Sequence, residues 1–367
     1  MSQGHTYIHN IETSLPAYSY EQDELRDKMK ELAGKNEKDR RLIHYVYARS
    51  GIKTRYSVLN DFRSDSNNSL FFNGRGPMPG TEDRNNVYIK EGRKLFSKTG
   101  ERLLQNSRFK PQDITHLITV SCTGFYAPGP DFDVIRHVGL QPSIERYHLG
   151  FMGCYAAIPA LKMAKQICEA DENANVMVIS AELCTLHFQG NNELDSILSS
   201  TVFADGAAGT IVSSRKPDID GFRMEGFASS ILEKGMNDMA WTIGNTGFHM
   251  VLSNHIPELL GDGIQNFISK ALQSYGMNRE DISRWAVHPG GRAILDKVVS
   301  EANLPEESLK ASRSVLANFG NMSSATILFV LKEILESSAD HRKAGKTLAM
   351  AFGPGLTLES ALLHSVG

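Results

Sequence analysis

Two stretches, LGFMGCYAAIPALKMA at 149–164 and ANFGNMSSATILFVLK at 317–332, each run from a turning segment into an apolar helix. A second pair precedes them, PQDITHLITVSCTGF at 111–125 and NREDISRWAVHPGG at 278–291. The spacing agrees: Asp113 and Asp281 are 168 positions apart, and so are Phe151 and Phe319. Two matches at one offset point to two copies of a βαβ-type unit, one in each half, which we divide as 1–213 and 214–367.

Working outward, β-branched runs at 116–120, 176–180, 208–212, 284–288 and 348–352 read as strands. Amphipathic runs at 21–32, 87–105, 154–169, 257–275 and 324–336 read as helices. Alternation of the two kinds predicts an α/β fold. Residues 60–86, rich in Asn, Ser, Gly and Pro, read as a long surface loop.

Composition narrows the function classes. With 367 residues, 41% hydrophobic and 22% charged, the chain has the make-up of a globular protein of roughly two domains. Its 39 basic and 42 acidic residues leave a net charge of -3, so nothing sequence-wide calls for a nucleic acid or an anionic membrane as partner. The start MSQGHTYIHN lacks a basic segment followed by an apolar one, which predicts no secretory or transit peptide and a cytoplasmic protein. The apolar stretch 149–161 is 13 residues long, short of the roughly 20 a membrane span requires. Four cysteines are too few for a disulfide scaffold and read as free thiols.

Several residues could carry chemistry. Cys154 opens a small, apolar run with no charge until Lys162, so the thiol is expected in the first turn of a buried helix. There the helix dipole would favour a thiolate and pull its pKa below about 8.5; a small core residue is the alternative. His288 ends an apolar run and meets Pro-Gly-Gly, which predicts a strand tip where α/β sites gather. Asn321, just before an apolar helix, reads as an N-cap, and its neighbour Met322 aligns with Cys154 at the repeat offset. Phe352-Gly-Pro-Gly355 is either a plain turn or a source of backbone N–H groups for an oxyanion. Cys184 and His187 have a metal-compatible spacing but no second ligand pair nearby, so they read as pocket lining. Walker A, GxGxxG, HExxH and GxSxG sequences are absent.

Taken together, Gly153-Cys154, Trp285-Ala-Val-His288-Pro-Gly-Gly, Phe319-Gly-Asn321-Met-Ser-Ser-Ala and Phe352-Gly-Pro-Gly-Leu-Thr-Leu-Glu359 resemble the type III polyketide synthases, the chalcone-synthase-like family, in its bacterial form. The resemblance implies a thiolase-type fold, duplicated βαβ-rich halves in a layered αβαβα core, and a homodimer. It implies Cys154 as the nucleophile, with His288 and Asn321 holding a thioester enolate. Malonyl-CoA and acyl-CoA would be the substrates, with no metal or redox cofactor.

The same resemblance implies aromatic gates at Phe203 and Phe248, a CoA-phosphate contact at Arg49 and a backbone contact to the pantetheine arm at Ala293. Cys184 and His187 stand where plant members carry threonines, Met239 where they keep a glycine, and Ala127 where they push a methionine across the dimer. Thr123, Ser323 and Gly355 complete the expected lining. These departures imply an aliphatic starter and an alkylpyrone, resorcinol or phloroglucinol product. Two other readings are open from the sequence: a β-ketoacyl carrier-protein synthase making one condensation, which predicts His-Gln-Ala-Asn in place of His-Pro-Gly-Gly, and a non-catalytic acyl-CoA-binding protein.

Overall fold

A computed structural model describes residues 5–63, 69–71, 78–253, 255–337 and 345–367. In its first half the chain forms β1 (Thr6–Ser14), β2 (Tyr18–Glu21), α1 (Gln22–Ala33), α2 (Glu37–Arg49), β3 (Thr54–Ser57), α3 (Thr81–Gln105), β4 (His116–Ser121), α4 (Pro130–Val138), β5 (Glu145–Gly150), α5 (Ala157–Ala170), β6 (Asn175–Leu183), α6 (Leu194–Val202) and β7 (Asp205–Ser213). The second half follows as β8 (Gly221–Ile231), β9 (Met239–Gly244), β10 (Gly247–Leu252), α7 (Ile256–Ser274), β11 (Ile282–Val287), α8 (Arg292–Glu301), α9 (Lys310–Phe319), α10 (Thr326–Glu336), β12 (Lys346–Gly353) and β13 (Thr357–Val366).

Nine strands pair in the order β11-β12-β13-β8-β1-β7-β6-β4-β5. The halves join where β1 pairs with β8 over Thr6–Ile8. Outward from that junction both halves repeat one pattern. In the first, β1–β7 and β7–β6 are antiparallel and β6–β4 parallel. In the second, β8–β13 and β13–β12 are antiparallel and β12–β11 parallel. The first half adds β5 at its edge, and the second inserts the β9–β10 hairpin. The 168-residue echo is also visible in detail: turns at Pro111–Asp113 and Arg279–Asp281 precede equivalent strands, and each aspartate accepts the backbone N–H two positions before its turn's second residue, from Lys110 and Asn278, at 2.8 Å.

The layers follow from which faces are apolar. Helices α5 and α10 each touch strands of both halves, so they form a central layer. Ile327, Leu328, Val330 and Leu331 of α10 are essentially without exposure, and burying a side chain of this size stabilises by about 1.5–3 kcal/mol. Helix α3 covers the outer face of the first half with Leu95, Phe96 and Leu103. Helices α7 and α8 cover the second with Leu260, Ile264, Leu295 and Val298. The result is the five-layer, thiolase-type α/β arrangement.

Two expectations need correction. The 60–86 segment ends in helix, not loop: α3 starts at Thr81, where Asp83 accepts the Gly80 N–H at 3.0 Å and satisfies an otherwise unpaired donor. Residues 64–68 and 72–77 of that segment lie outside the described ones. Helix α5 starts at Ala157, so Cys154 sits in the turn before it rather than in its first turn. The turn is set by Phe151 and Gly153, at φ 59° and 88°, conformations that break a helix.

Candidate active site

Three loops meet over the central helix layer, two of them following the edge strands β5 and β11 and the third joining α9 to α10. The first carries Cys154. Gly153 is required there, because a Cβ at φ 88° would collide with the Pro354 ring. The second continues β11: the His288 N–H donates to Met350 O at 2.8 Å, extending the parallel ladder by one residue. Gly290 N–H then returns to His288 O at 3.0 Å, so the imidazole is held at the strand tip. The third carries Asn321, whose Oδ1 accepts the Ser323 N–H at 2.9 Å. Its Nδ2 donates to Gly290 O at 3.3 Å, tying this loop to the histidine loop.

Phe203 is fastened to the same place. Asn321 N–H donates to Val202 O at 2.8 Å and Ala204 N–H to Asn321 O at 2.9 Å, a short parallel bridge. On the other side the buried Arg55 donates through Nη1 to Ser200 O at 2.7 Å and Phe203 O at 2.6 Å, and through Nε to Gln22 Oε1 at 2.9 Å. A guanidinium against the carbonyl end of α6 is favoured by the helix dipole. Gly320, at φ 72°, leaves room for the Arg55 side chain, which would lie 2.9 Å from any added Cβ.

A buried carboxylate joins the halves beneath the site. Glu182, on β6, accepts the Cys122 N–H at 3.0 Å, the Thr123 hydroxyl at 2.8 Å, the Ser121 hydroxyl at 3.3 Å and the Ser324 hydroxyl. Cys122 Sγ lies 3.3 Å from Ser323 Oγ. Burial raises the Glu182 pKa, while these donors hold it back down.

The loops enclose a cavity of about 40 Å³ lined by Cys154, His288, Asn321, Phe203, Cys184 and Met239, with Thr123 and Ser323 also on its wall. Phe352 and Pro354 line it too, whereas Gly355 of the same turn does not. A larger cavity of about 250 Å³ adjoins it, lined in part by Phe203, Phe248, Cys184 and His187. Ala127, Arg49 and Ala293 are exposed and line neither cavity. Arg49 ends α2 and stacks its guanidinium 4.8 Å from the Tyr45 ring centroid. A Cβ at Gly51 would lie 3.5 Å from Arg292 Cδ, so the end of α2 and the start of α8, which carries Ala293, share one surface.

The electrostatics correct the expected lowered pKa of Cys154. Burial pushes the thiol up to about 11, with Ser323 and Asn321 hydrogen-bonding it partly back. Burial alone pulls His288 down to about 3. Both His288 ring nitrogens are buried without a partner among the described residues. Each shift penalises a lone charge. Moving the proton from Cys154 to His288 instead creates two opposite charges in one small cavity, where their attraction is weakly screened. Chemically, such a set can supply a nucleophile, a group to take its proton, and an amide donor.

Trp241, Met250, Leu252 and Ile294 also line these walls and carry no distinctive sequence signal, although GNTG at 244–247 between alternating runs is a hairpin signature that would have found β9–β10. Glu182 could have been noticed as the one charge in the apolar run 176–183. Among the described residues no group of three His, Cys, Asp or Glu could hold a metal ion, and no helix is long and apolar enough to cross a membrane.

Comparison with known proteins shows the family and the fold. Residues 1–216 match the family described as chalcone and stilbene synthases, N-terminal domain, and 225–367 match the C-terminal domain of the same family. The fold is similar to the crystal structure of PKS-I from the brown alga Ectocarpus siliculosus, with TM-score 0.91 and 26% identity over 99% of this chain and 98% of that one. It is similar also to the C-terminal type III polyketide synthase domain of Steely1, a type I/III hybrid from Dictyostelium. There the TM-score is 0.90 and the identity 26%, over 99% of this chain and all of that one.

Proposed function

We propose that this chain, which belongs to the chalcone and stilbene synthase family and is a polyketide synthase of the acyltransferase class, loads an aliphatic acyl group on Cys154 and extends it repeatedly with malonyl-CoA. The observation that carries this reading is the convergence of Cys154, His288 and Asn321 on one buried cavity in which neither imidazole nitrogen has a partner among the described residues.

The chemistry runs in three steps. Cys154 Sγ, its proton taken by His288, attacks the thioester carbonyl of the starter, forming acyl-Cys154 and releasing CoA, which leaves with that proton. Malonyl-CoA then loses CO2. The electron pair of the broken C–C bond passes into a thioester enolate, whose oxygen accepts hydrogen bonds from His288 and the Asn321 amide. The enolate carbon attacks the acyl carbon, a C–C bond forms, and the Cys154 thiolate departs. The chain, longer by two carbons, returns to Cys154 for the next cycle and finally closes to an alkylpyrone, resorcinol or phloroglucinol.

In this reading Arg49 and Ala293 receive the CoA moiety from the surface they share, and Phe203, Phe248, Cys184, His187, Met239, Thr123 and Ser323 shape the space for the chain. Gly355 acts through the turn that carries Pro354, and Ala127 through a second copy of the chain in a homodimer. The CoA thioesters are substrates, and no separate cofactor enters. We further read the protein as a cytoplasmic enzyme of the bacterial form of the family, divided into halves at 213/214.

Purified protein with malonyl-CoA and a panel of acyl-CoAs from acetyl to palmitoyl plus one aromatic, beside Cys154→Ala, tests the proposal by product mass spectrometry. Pyrones or resorcinols from aliphatic starters that vanish in the variant are expected. An aromatic starter outperforming every aliphatic one would overturn the starter assignment, and no product at all would overturn iterative condensation.

A further inference from the structure

The small catalytic cavity and the larger one meet at four shared residues, Cys184, Phe203, Trp241 and Met250. Of these, Trp241 has the largest side chain and is fixed from two sides. On the catalytic side its indole Nε1–H donates to Cys122 O at 2.8 Å. On the other side the ring meets His187 edge-on at 5.3 Å and Phe248 edge-on at 5.7 Å.

That backing is itself rigid. His187 stacks on Phe248 with centroids 4.1 Å apart and planes 9° apart. Its Nδ1 accepts the Phe248 N–H at 3.0 Å, so Nε2 is the protonated nitrogen and donates to Thr123 O at 2.8 Å. The turn carrying His187 is held by Arg84, whose Nη1 donates to Leu186 O at 2.6 Å and Phe188 O at 2.7 Å. Swinging the indole aside would break its hydrogen bond and both ring contacts together. Met250 has a flexible thioether that can yield, and Cys184 is small.

We infer that Trp241 is a specificity-determining partition, an indole fixed at the junction that limits how far a chain growing on Cys154 extends into the larger cavity. This rests on the proposed condensation and adds the residue that sets product length. Beyond the indole the wall includes an apolar patch, Leu25, Met29, Phe62 and Phe188, which suits an alkyl chain, beside polar residues such as Glu193 and Asp195.

The test compares wild type with Trp241→Phe, Trp241→Leu and Trp241→Ala, each given malonyl-CoA and one fixed medium-chain acyl-CoA. Product lengths are read by mass spectrometry, and CO2 release from malonyl-CoA alone reports the catalytic trio. The Leu and Ala variants are expected to raise the ratio of longer to shorter products by about tenfold or more, the scale of selectivity in apolar pockets, a ratio read independently of total turnover. The Phe variant, which keeps a ring but loses the N–H, shifts the ratio less. Unchanged ratios in the Phe and Leu variants would overturn the partition while leaving the condensation intact. A wild type that releases no CO2 would instead overturn the proposed reaction.

A second readout needs no turnover. The chain has two tryptophans, so Trp285→Phe leaves Trp241 as the sole tryptophan, excited selectively at the red edge of the aromatic absorption band. Its fluorescence should shift on adding a long-chain acyl-CoA, and an emission unmoved by every acyl-CoA would overturn the inference.

Discussion

The turn before α5 and the turn before α10 occupy equivalent places in the two halves, yet they deliver different chemistry. In the first, Cys154 faces the cavity. In the second, Met322 stands 168 positions later, and its side chain is turned into the core against the position a Cβ on Gly206 would take. The second turn contributes to the cavity through its neighbours Asn321 and Ser323 instead. Both turns use left-handed residues, Phe151 and Gly153 in one and Gly320 and Ser323 in the other, but at different steps. Counted at the repeat offset, the first reversal comes one residue later and the second two residues later in the second turn, and with that shift a different side chain faces the cavity. Duplication supplies the frame, and the turns assign the roles.

The largest test of this difference removes the nucleophile and offers it from the other copy. Cys154→Ala should lower condensation by about 10⁴ or more, the scale of losing a nucleophile. Adding Met322→Cys should leave activity at that floor, because the new thiol points into the core. Recovered condensation in the double variant would show the turns to be interchangeable.

Next in size is the second turn's own contribution. Asn321→Ala should slow malonyl-CoA decarboxylation by about 10²–10³, as expected for one donor to a developing oxyanion. Acyl transfer to Cys154 should fall less, and equal losses in both steps would assign the amide a purely structural role.

His288→Ala should lower iodoacetamide alkylation of Cys154 at neutral pH by about tenfold or more. The sign follows from burial: it raises the thiol to about 11, so without an imidazole to take the proton, reactivity falls as pH drops below that value. The alkylation profile of the variant should move toward alkaline pH. An unmoved profile would mean that Cys154 and His288 do not share a proton.

The smallest effect concerns stability. Burial lowers His9 to about 4 and His187 and His288 to about 3. Below pH 6.5 the unfolded chain therefore binds more protons than the folded one, and stability is lost as pH falls from about 6.5 toward these values. His187→Gln should flatten the fall in unfolding midpoint between pH 6 and 4, and an unchanged slope would contradict a neutral, buried His187.

Much of this was legible in the sequence. The buried strands β4, β6, β7, β11 and β12 announce themselves as apolar, β-branched runs, and the repeat offset matches β4 of one half to β11 of the other. Edge strand β5, ERYHLG, is mostly exposed and carries no such run. Strand β8 is only partly buried, and its pattern loses alternation. Cys154, His288 and Asn321 stand out because glycines and turns mark where the backbone stops being regular. Trp241 does not, since its place depends on a hairpin folding back over the loops that carry Cys122 and His187, far earlier in the chain. Arg49 and Ala293 lie on an outer surface whose role depends on a ligand's reach rather than on local pattern.

The central claim is that one thiol among the three lining the catalytic cavity, Cys122, Cys154 and Cys184, carries the acyl chain. Peptide mapping by mass spectrometry after incubation with an acyl-CoA, without malonyl-CoA, tests it directly. The account predicts a single acyl adduct on Cys154, absent in Cys154→Ala. An adduct on Cys122 or Cys184 in its place, or none on any cysteine, would contradict it.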